Sequence, residues 1–198
     1  MSTSTKKRYE EQAAAASAWL ATLRPREING RLIDGDRAAL AKLRRASSVM
    51  EAAAEPATAD LYKNLKFTRP DRDLARAAVV AAVLAHVRDG TWEKVAEVIG
   101  RPRAGKGSTK LITPLRLKRL LAAREPDDVL IAFRRVVAIL DQKANVRDLA
   151  IQILAWTDGV HGDLTRTRFA FDYHGAGQFA PGADTATSPP HSDTLAKD

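Results

Sequence analysis

The chain has 198 residues, 45% of them hydrophobic and 6% aromatic, with 32 Lys or Arg against 24 Asp or Glu and a net charge of +8. That length and apolar content can build a packed core, which excludes disorder throughout. The absence of cysteine excludes disulfides, thiolate metal sites and cysteine nucleophiles.

Alanine is abundant, aromatics are few, and apolar residues rarely alternate with polar ones, so an all-α fold is expected. The first element, Tyr9 to Arg24 (YEEQAAAASAWLATLR), has acids in its first turn and stops at Pro25, with Trp19 and Leu23 on one face. Before it, Met1 to Arg8 is polar and basic with no apolar segment behind it, and no run approaches 18 apolar residues. A soluble cytoplasmic protein is the expectation.

After a loop at Asn29-Gly30, Asp36 is placed to cap RAALAKLRRAS. A helical wheel puts Ala39, Leu40 and Leu43 on one side and Arg37, Arg44 and Arg45 on another. Pro56 starts a third helix, and Pro70-Asp71 opens a longer one through the alanine-rich AAVVAAVLA to Arg88, closed by Gly90. Thr91 is read as the cap of WEKVAEVI, which ends at Gly100.

Residues 101–113 contain Pro102, Gly105 and Gly107 among basic residues and read as a flexible linker between an N-terminal lobe, 9–100, and a C-terminal lobe, 114–174. Four helices are expected in the second lobe. They are PLRLKRLLA with its Leu117, Leu120 and Leu121 stripe, DDVLIAFRRVVAILDQ with apolar residues at helical spacing from Val129 to Leu140, VRDLAIQILAW capped by Asn145, and a last one near Asp163 to Tyr173. The expected architecture is thus two small helical bundles joined by the linker. From Gly175 to Asp198 the chain is nearly free of large apolar residues and net acidic, so a disordered tail is expected.

Several chemistries are weighed and set aside. Gly100 to Lys106 approaches a phosphate-binding loop, but Gly107 follows the lysine where Ser or Thr is needed, and VAEVIG before it reads as a helix, not a strand. WEKVAEVIGRP resembles the start of a helix-turn-helix, but Pro102, Gly105 and Gly107 occupy the place of the recognition helix. His86, His161, His174 and His191 have no ligand spacing, and no nucleophile elbow or acidic pair is present, so neither catalysis, metal nor cofactor is expected. His86 reads as a partly buried structural residue.

The distinctive feature is basic. Arg101, Arg103, Lys106, Lys110, Arg116, Lys118, Arg119 and Arg124 follow one another with no acid between them. With Arg44 and Arg45 from the second helix and Arg134 and Arg135 from the long one, they suit phosphate oxygens on a nucleic acid backbone. The candidate contacts are Arg44, Arg45, Lys110, Arg116, Arg119, Arg124, Arg134 and Arg135. Aromatics are sparse beside them, so base stacking is not expected.

The order of short motifs resembles one known family. The Trp19-Leu20 helix, GDRAALAKLRRA (35–46), LRLKRLLAA (115–123), FRRVVAIL (133–140), RDLAIQILAW (147–156) and RTRFAFDYHG (166–175) are similar to those of the CasB family, small subunits of the type I-E CRISPR surveillance complex, Cascade. Phe169, His174 and Ala122 depart from the family's usual residues. The resemblance implies a non-catalytic, two-lobed helical subunit that pairs with a second copy. It further implies contact with other Cascade proteins, crRNA and the target and displaced DNA strands of an R-loop, and it carries the family's arginines onto Arg44, Arg45, Arg116, Arg134 and Arg135. The alternative reading is a free-standing DNA-binding regulator with 92–120 as a degenerate helix-turn-helix.

Overall fold

A computed structural model describes residues 3–67, 70–103 and 109–175. The fold is mostly helical, as expected. Helix α1 (Thr3–Thr22) leads into a short antiparallel hairpin of β1 (Arg26–Ile28) and β2 (Arg31–Ile33). Next come α2 (Arg37–Arg45), α3 (Val49–Ala53), α4 (Pro56–Asn64) and α5 (Pro70–Leu84). A two-residue strand β3 (Asp89–Gly90) precedes α6 (Val95–Gly100), α7 (Pro114–Ala122) and α8 (Pro126–Ile139). Strand β4 (Lys143–Ala144), α9 (Val146–Trp156) and α10 (Gly162–Tyr173) complete the described fold.

The hairpin is an addition to the expected loop. Asn29 and Gly30 both take positive φ, 53° and 76°, which matches a tight turn to the right-handed twist of its strands. Its strands are short and largely exposed, so no buried alternation marks them in the sequence. Helix α3 is a second addition, started by Ser48, whose hydroxyl accepts from the Glu51 N–H. The caps read at Asp36 and Asn145 are formed: Asp36 accepts from the Ala39 N–H and Asn145 from the Asp148 N–H.

Helix α5 is the centre of the molecule. Ala77 to Ala85 is apolar on every side and wholly buried, as expected for a helix enclosed by others rather than one laid on a surface. It packs against α2, α3, α4, α8 and α9, while α1 lies along α9 and α4. Buried side chains before residue 100 and after 114 therefore form one continuous apolar cluster, and the core has no break at the expected linker. Within 101–113, Arg101 to Arg103 run beside Thr109 to Leu111, joined by the Arg103 N–H to the Thr109 carbonyl and the Leu111 N–H to the Arg101 carbonyl. Residues 104–108, which include Gly105, Lys106 and Gly107 of the phosphate-loop-like segment, and the tail from 176, with His191, lie outside the described residues.

Thr91 does not cap a helix. Its N–H donates to the Ala144 carbonyl, the turn that carries Trp92 is drawn to the 142–145 segment, and α6 begins only at Val95. No described helix is long and apolar enough to cross a membrane.

Candidate nucleic-acid interface

Helix α7 buries Leu117 and Leu120, and α8 buries Val129, Leu130, Phe133, Val136 and Val137. Those stripes turn the remaining faces outward. Arg116 and Arg119, one turn apart on α7, and Arg135 on α8 line one groove of about 720 Å³ whose floor includes Leu120, Ile131 and Val136. None of the three guanidinium groups has a hydrogen bond or ion pair among the described residues. Asp128 is the acid in the lining. Three unpaired forked cations around an apolar floor suit an anionic chain, since the floor lowers the local dielectric and each fork can grip phosphate oxygens bidentately.

The other expected contacts have different surroundings. Arg45 is exposed at the end of α2 and has no ion pair among the described residues. Arg44, from the same turn, folds back so that its Nε donates to the Ala85 carbonyl at 2.6 Å, closing the end of α5. Arg134 reaches from α8 to the Leu43 carbonyl at 2.9 Å and to that of Ala46, capping α2. Arg24 caps the same region of α5 through the Val87 carbonyl. These three arginines satisfy helix-end carbonyls that would otherwise lack donors.

This arrangement crowds positive charge around His86. Burial, then the Arg134 and Arg44 charges, hold its imidazole below the usual histidine range. Its Nε2 is buried without a hydrogen-bond partner among the described residues. Burial likewise lowers Arg134, with Glu51 opposing, and lowers Arg24, with Arg44 adding to the effect.

Arg124 pairs with Asp163 at 2.8 Å in the open, an ion pair that Arg166 shares at 2.7 Å. Lys110 donates to the Tyr173 carbonyl at 3.1 Å and sits 4.0 Å from that ring's centroid. The structure therefore gathers Arg116, Arg119 and Arg135, leaves Arg45 free on a separate helix end, and gives Arg44, Arg134, Arg124 and Lys110 protein partners.

A second cluster of charge is internal. Tyr9 donates to Asp158 Oδ2 at 2.6 Å, Arg76 donates to Asp73 Oδ1 at 2.6 Å and to the Leu154 carbonyl, and Arg8 lies 3.7 Å from Asp158. The network ties α1 and α5 to the turn between α9 and α10. Burial opposes ionisation of Asp158, yet hydrogen bonds from Tyr9 and the Val160 N–H, with the Arg76 and His161 charges, hold its carboxyl down at about 2. Among the described residues no group of three or more His, Asp or Glu could hold a metal ion.

One exposed residue was missed in the sequence. Trp92 is 95% exposed, because the turn that carries it leaves α6 before the helical stripe begins. Its sequence signal, an aromatic opening WEKVAEVI after Thr91, is indistinguishable from an amphipathic helix start.

Residues 39–174 match the family model of the CRISPR-associated protein Cse2. No curated protein and no solved structure matches the chain.

Proposed function

The chain belongs to the Cse2 family, the CasB small subunits of the type I-E Cascade, and from that membership we propose a non-catalytic subunit that binds nucleic acid by its backbone and stabilises the crRNA–target R-loop in antiviral defence. The observation that carries this reading is the α7–α8 groove, with Arg116, Arg119 and Arg135 free of partners among the described residues. Arg45 extends the basic surface. Arg124 joins when phosphate displaces its weak, exposed ion pair with Asp163, and Lys110 when phosphate replaces the Tyr173 carbonyl as its acceptor. Arg44 and Arg134 act through the shape of the surface, holding the ends of α5 and α2 on which Arg45 is carried.

The partners in this reading are the other Cascade proteins, crRNA, the target and displaced strands, and a second copy of the chain, in the cytoplasm. Segments 9–100 and 114–174 are two lobes in chain order, with 101–113 as their connection, and they share one core so that basic groups on both keep fixed spacing. A backbone reader needs that rigidity more than it needs base contacts.

The test replaces Arg116, Arg119 and Arg135 together by Ala in the assembled complex. All three lie outside the core, so assembly and the thermal melt should match wild type while the R-loop dissociates at least tenfold faster. An R-loop lifetime equal to wild type at every salt concentration would overturn the assignment.

A further inference from the structure

Trp92 stands on the described surface with almost its whole indole in solvent, although Trp is rarely left so exposed on an ordered segment. Its backbone is fixed on both sides. Strand β3 pairs in parallel with β4, the Arg88 N–H donates to the Gln142 carbonyl at 2.7 Å, and the Thr91 N–H donates to that of Ala144 at 3.2 Å. Asn145 Nδ2 donates to the Trp92 carbonyl at 2.9 Å, and Asn145 is itself held as the cap of α9. Beyond the turn, the Val95 N–H donates to Asp148 Oδ2 at 2.7 Å. The ring is therefore presented on a braced turn at a low cost of ordering.

Its surroundings are polar and carry charge of both signs. Arg88 and Lys143, on the two bonded segments, are exposed and have no ion pair among the described residues. Glu93, next to Trp92, is tied to Arg101 at 2.5 Å, and Lys94 is shared between Glu97 and Asp172. Asp89 and Asp141 are the remaining acids on these segments, both exposed. Along 88–94 and 141–145, Trp92 is the only large apolar side chain that is exposed. A protein contact of useful strength needs a wider apolar patch around its anchor. A single aromatic face on paired segments that also carry two cations without ion pairs among the described residues instead fits a base with its phosphates, the arrangement used where single strands are bound without sequence preference.

We infer that Trp92 is a stacking platform for one nucleobase of single-stranded nucleic acid, with Arg88 and Lys143 holding the adjoining phosphates. This rests on the nucleic-acid reading above but uses a surface apart from the α7–α8 groove. It adds a preference for unpaired strands, because a duplex keeps its bases stacked on one another.

The full-length chain supplies its own probe. It has three tryptophans, and Trp19 and Trp156 are buried, so only Trp92 emission responds directly to a base placed on its ring. Titration with a short oligothymidylate at low salt should quench that emission, whereas a duplex of equal length should not. Trp92→Ala should weaken oligothymidylate binding about tenfold, leave duplex binding within twofold and leave the thermal melt unchanged, and Trp92→Phe should restore most of the loss. The variant lacking Arg116, Arg119 and Arg135 separates the two claims: if it binds duplex like wild type, the groove assignment fails while quenching by the oligonucleotide still supports Trp92. Unchanged emission at saturating oligothymidylate, or equal affinity of Trp92→Ala for it, overturns the inference. Quenching by the other Cascade subunits but not by the oligonucleotide also overturns it and makes Trp92 a protein contact.

Discussion

Arg134 donates a hydrogen bond to the Leu43 carbonyl at 2.9 Å, so a side chain of α8 closes the C-terminal end of α2 across 91 positions of sequence. Its neighbour Arg135, one residue on, has no partner among the described residues and faces the groove. Adjacent arginines thus have separate duties, one inside the fold and one on its surface.

Arg134→Ala should lower unfolding stability by about 2 kcal/mol, because it removes charge-assisted hydrogen bonds and leaves half-buried carbonyls at the end of α2 without donors. Arg135→Ala should stay within about 0.5 kcal/mol of wild type, as surface changes away from special features do. Urea unfolding followed by circular dichroism measures both. Equal losses in the two variants would remove the distinction.

This pair also marks the limit of what the sequence displayed. The Val129 to Leu140 stripe, the Asp36 and Asn145 caps and the helical class depend on neighbours within a few residues, and all are visible in the chain. A helical wheel says which way Arg44 and Arg134 leave their own helices, but not that the open carbonyls of α5 and α2 wait there. Trp92 was hidden for a similar reason. The segment 91–99 has helical propensity throughout, and what stops the helix short is a set of bonds to residues 142–148, about fifty positions away. Three groove arginines were legible as cations, while their meeting on one wall required the packing of α7 on α8.

The salt dependence of binding should separate free from committed cations. Arg45 and Arg135 are both exposed, so replacing the two together by Ala should leave the fold intact and reduce the slope of log K against log salt by about 2 for a duplex, at roughly 0.9 per lost phosphate contact. Filter binding between low and physiological salt gives the slope. A slope equal to wild type would mean that neither arginine touches phosphate.

Gly100 tests the approach of α6 to α10. A Cβ at this position would overlap the backbone carbonyl of Tyr173, which belongs to a helix end and cannot swing aside as a flexible side chain could. Gly100→Ala should therefore destabilise by about 2 kcal/mol despite alanine's better helix propensity. Gly90→Ala is the control, since nothing lies within 4 Å of its added methyl, and it should change the melting temperature little. A Gly100→Ala protein as stable as wild type would show that the two helices stand further apart.

Acid should destabilise the protein in two separable stages, one from His86 and a later one to which Asp158 contributes. His86 is held below its usual 6.5 by burial and by Arg134 and Arg44, so the fold favours neutral imidazole. Its contribution is fully present above pH 6.5 and declines as pH falls toward the lower folded value, because the unfolded chain then binds the proton more readily. Asp158 behaves with the same sign at lower pH. Its ordinary value is 3.8 and its folded value about 2, so its ionised form in the network with Tyr9, Arg76 and His161 stabilises the fold above pH 4 and is lost as pH falls through 2. That shift corresponds to about 2 kcal/mol. Tyr9→Phe removes the 2.6 Å donor and should raise the Asp158 pKa toward 3.8, moving the acid transition upward while leaving the His86 stage in place. Urea stability measured from pH 7 to pH 2, with His86→Gln and Tyr9→Phe compared against wild type, resolves the two stages. A wild-type curve flat between pH 6.5 and 5 would exclude the His86 contribution, and a Tyr9→Phe curve superimposable on wild type below pH 4 would exclude that of Asp158.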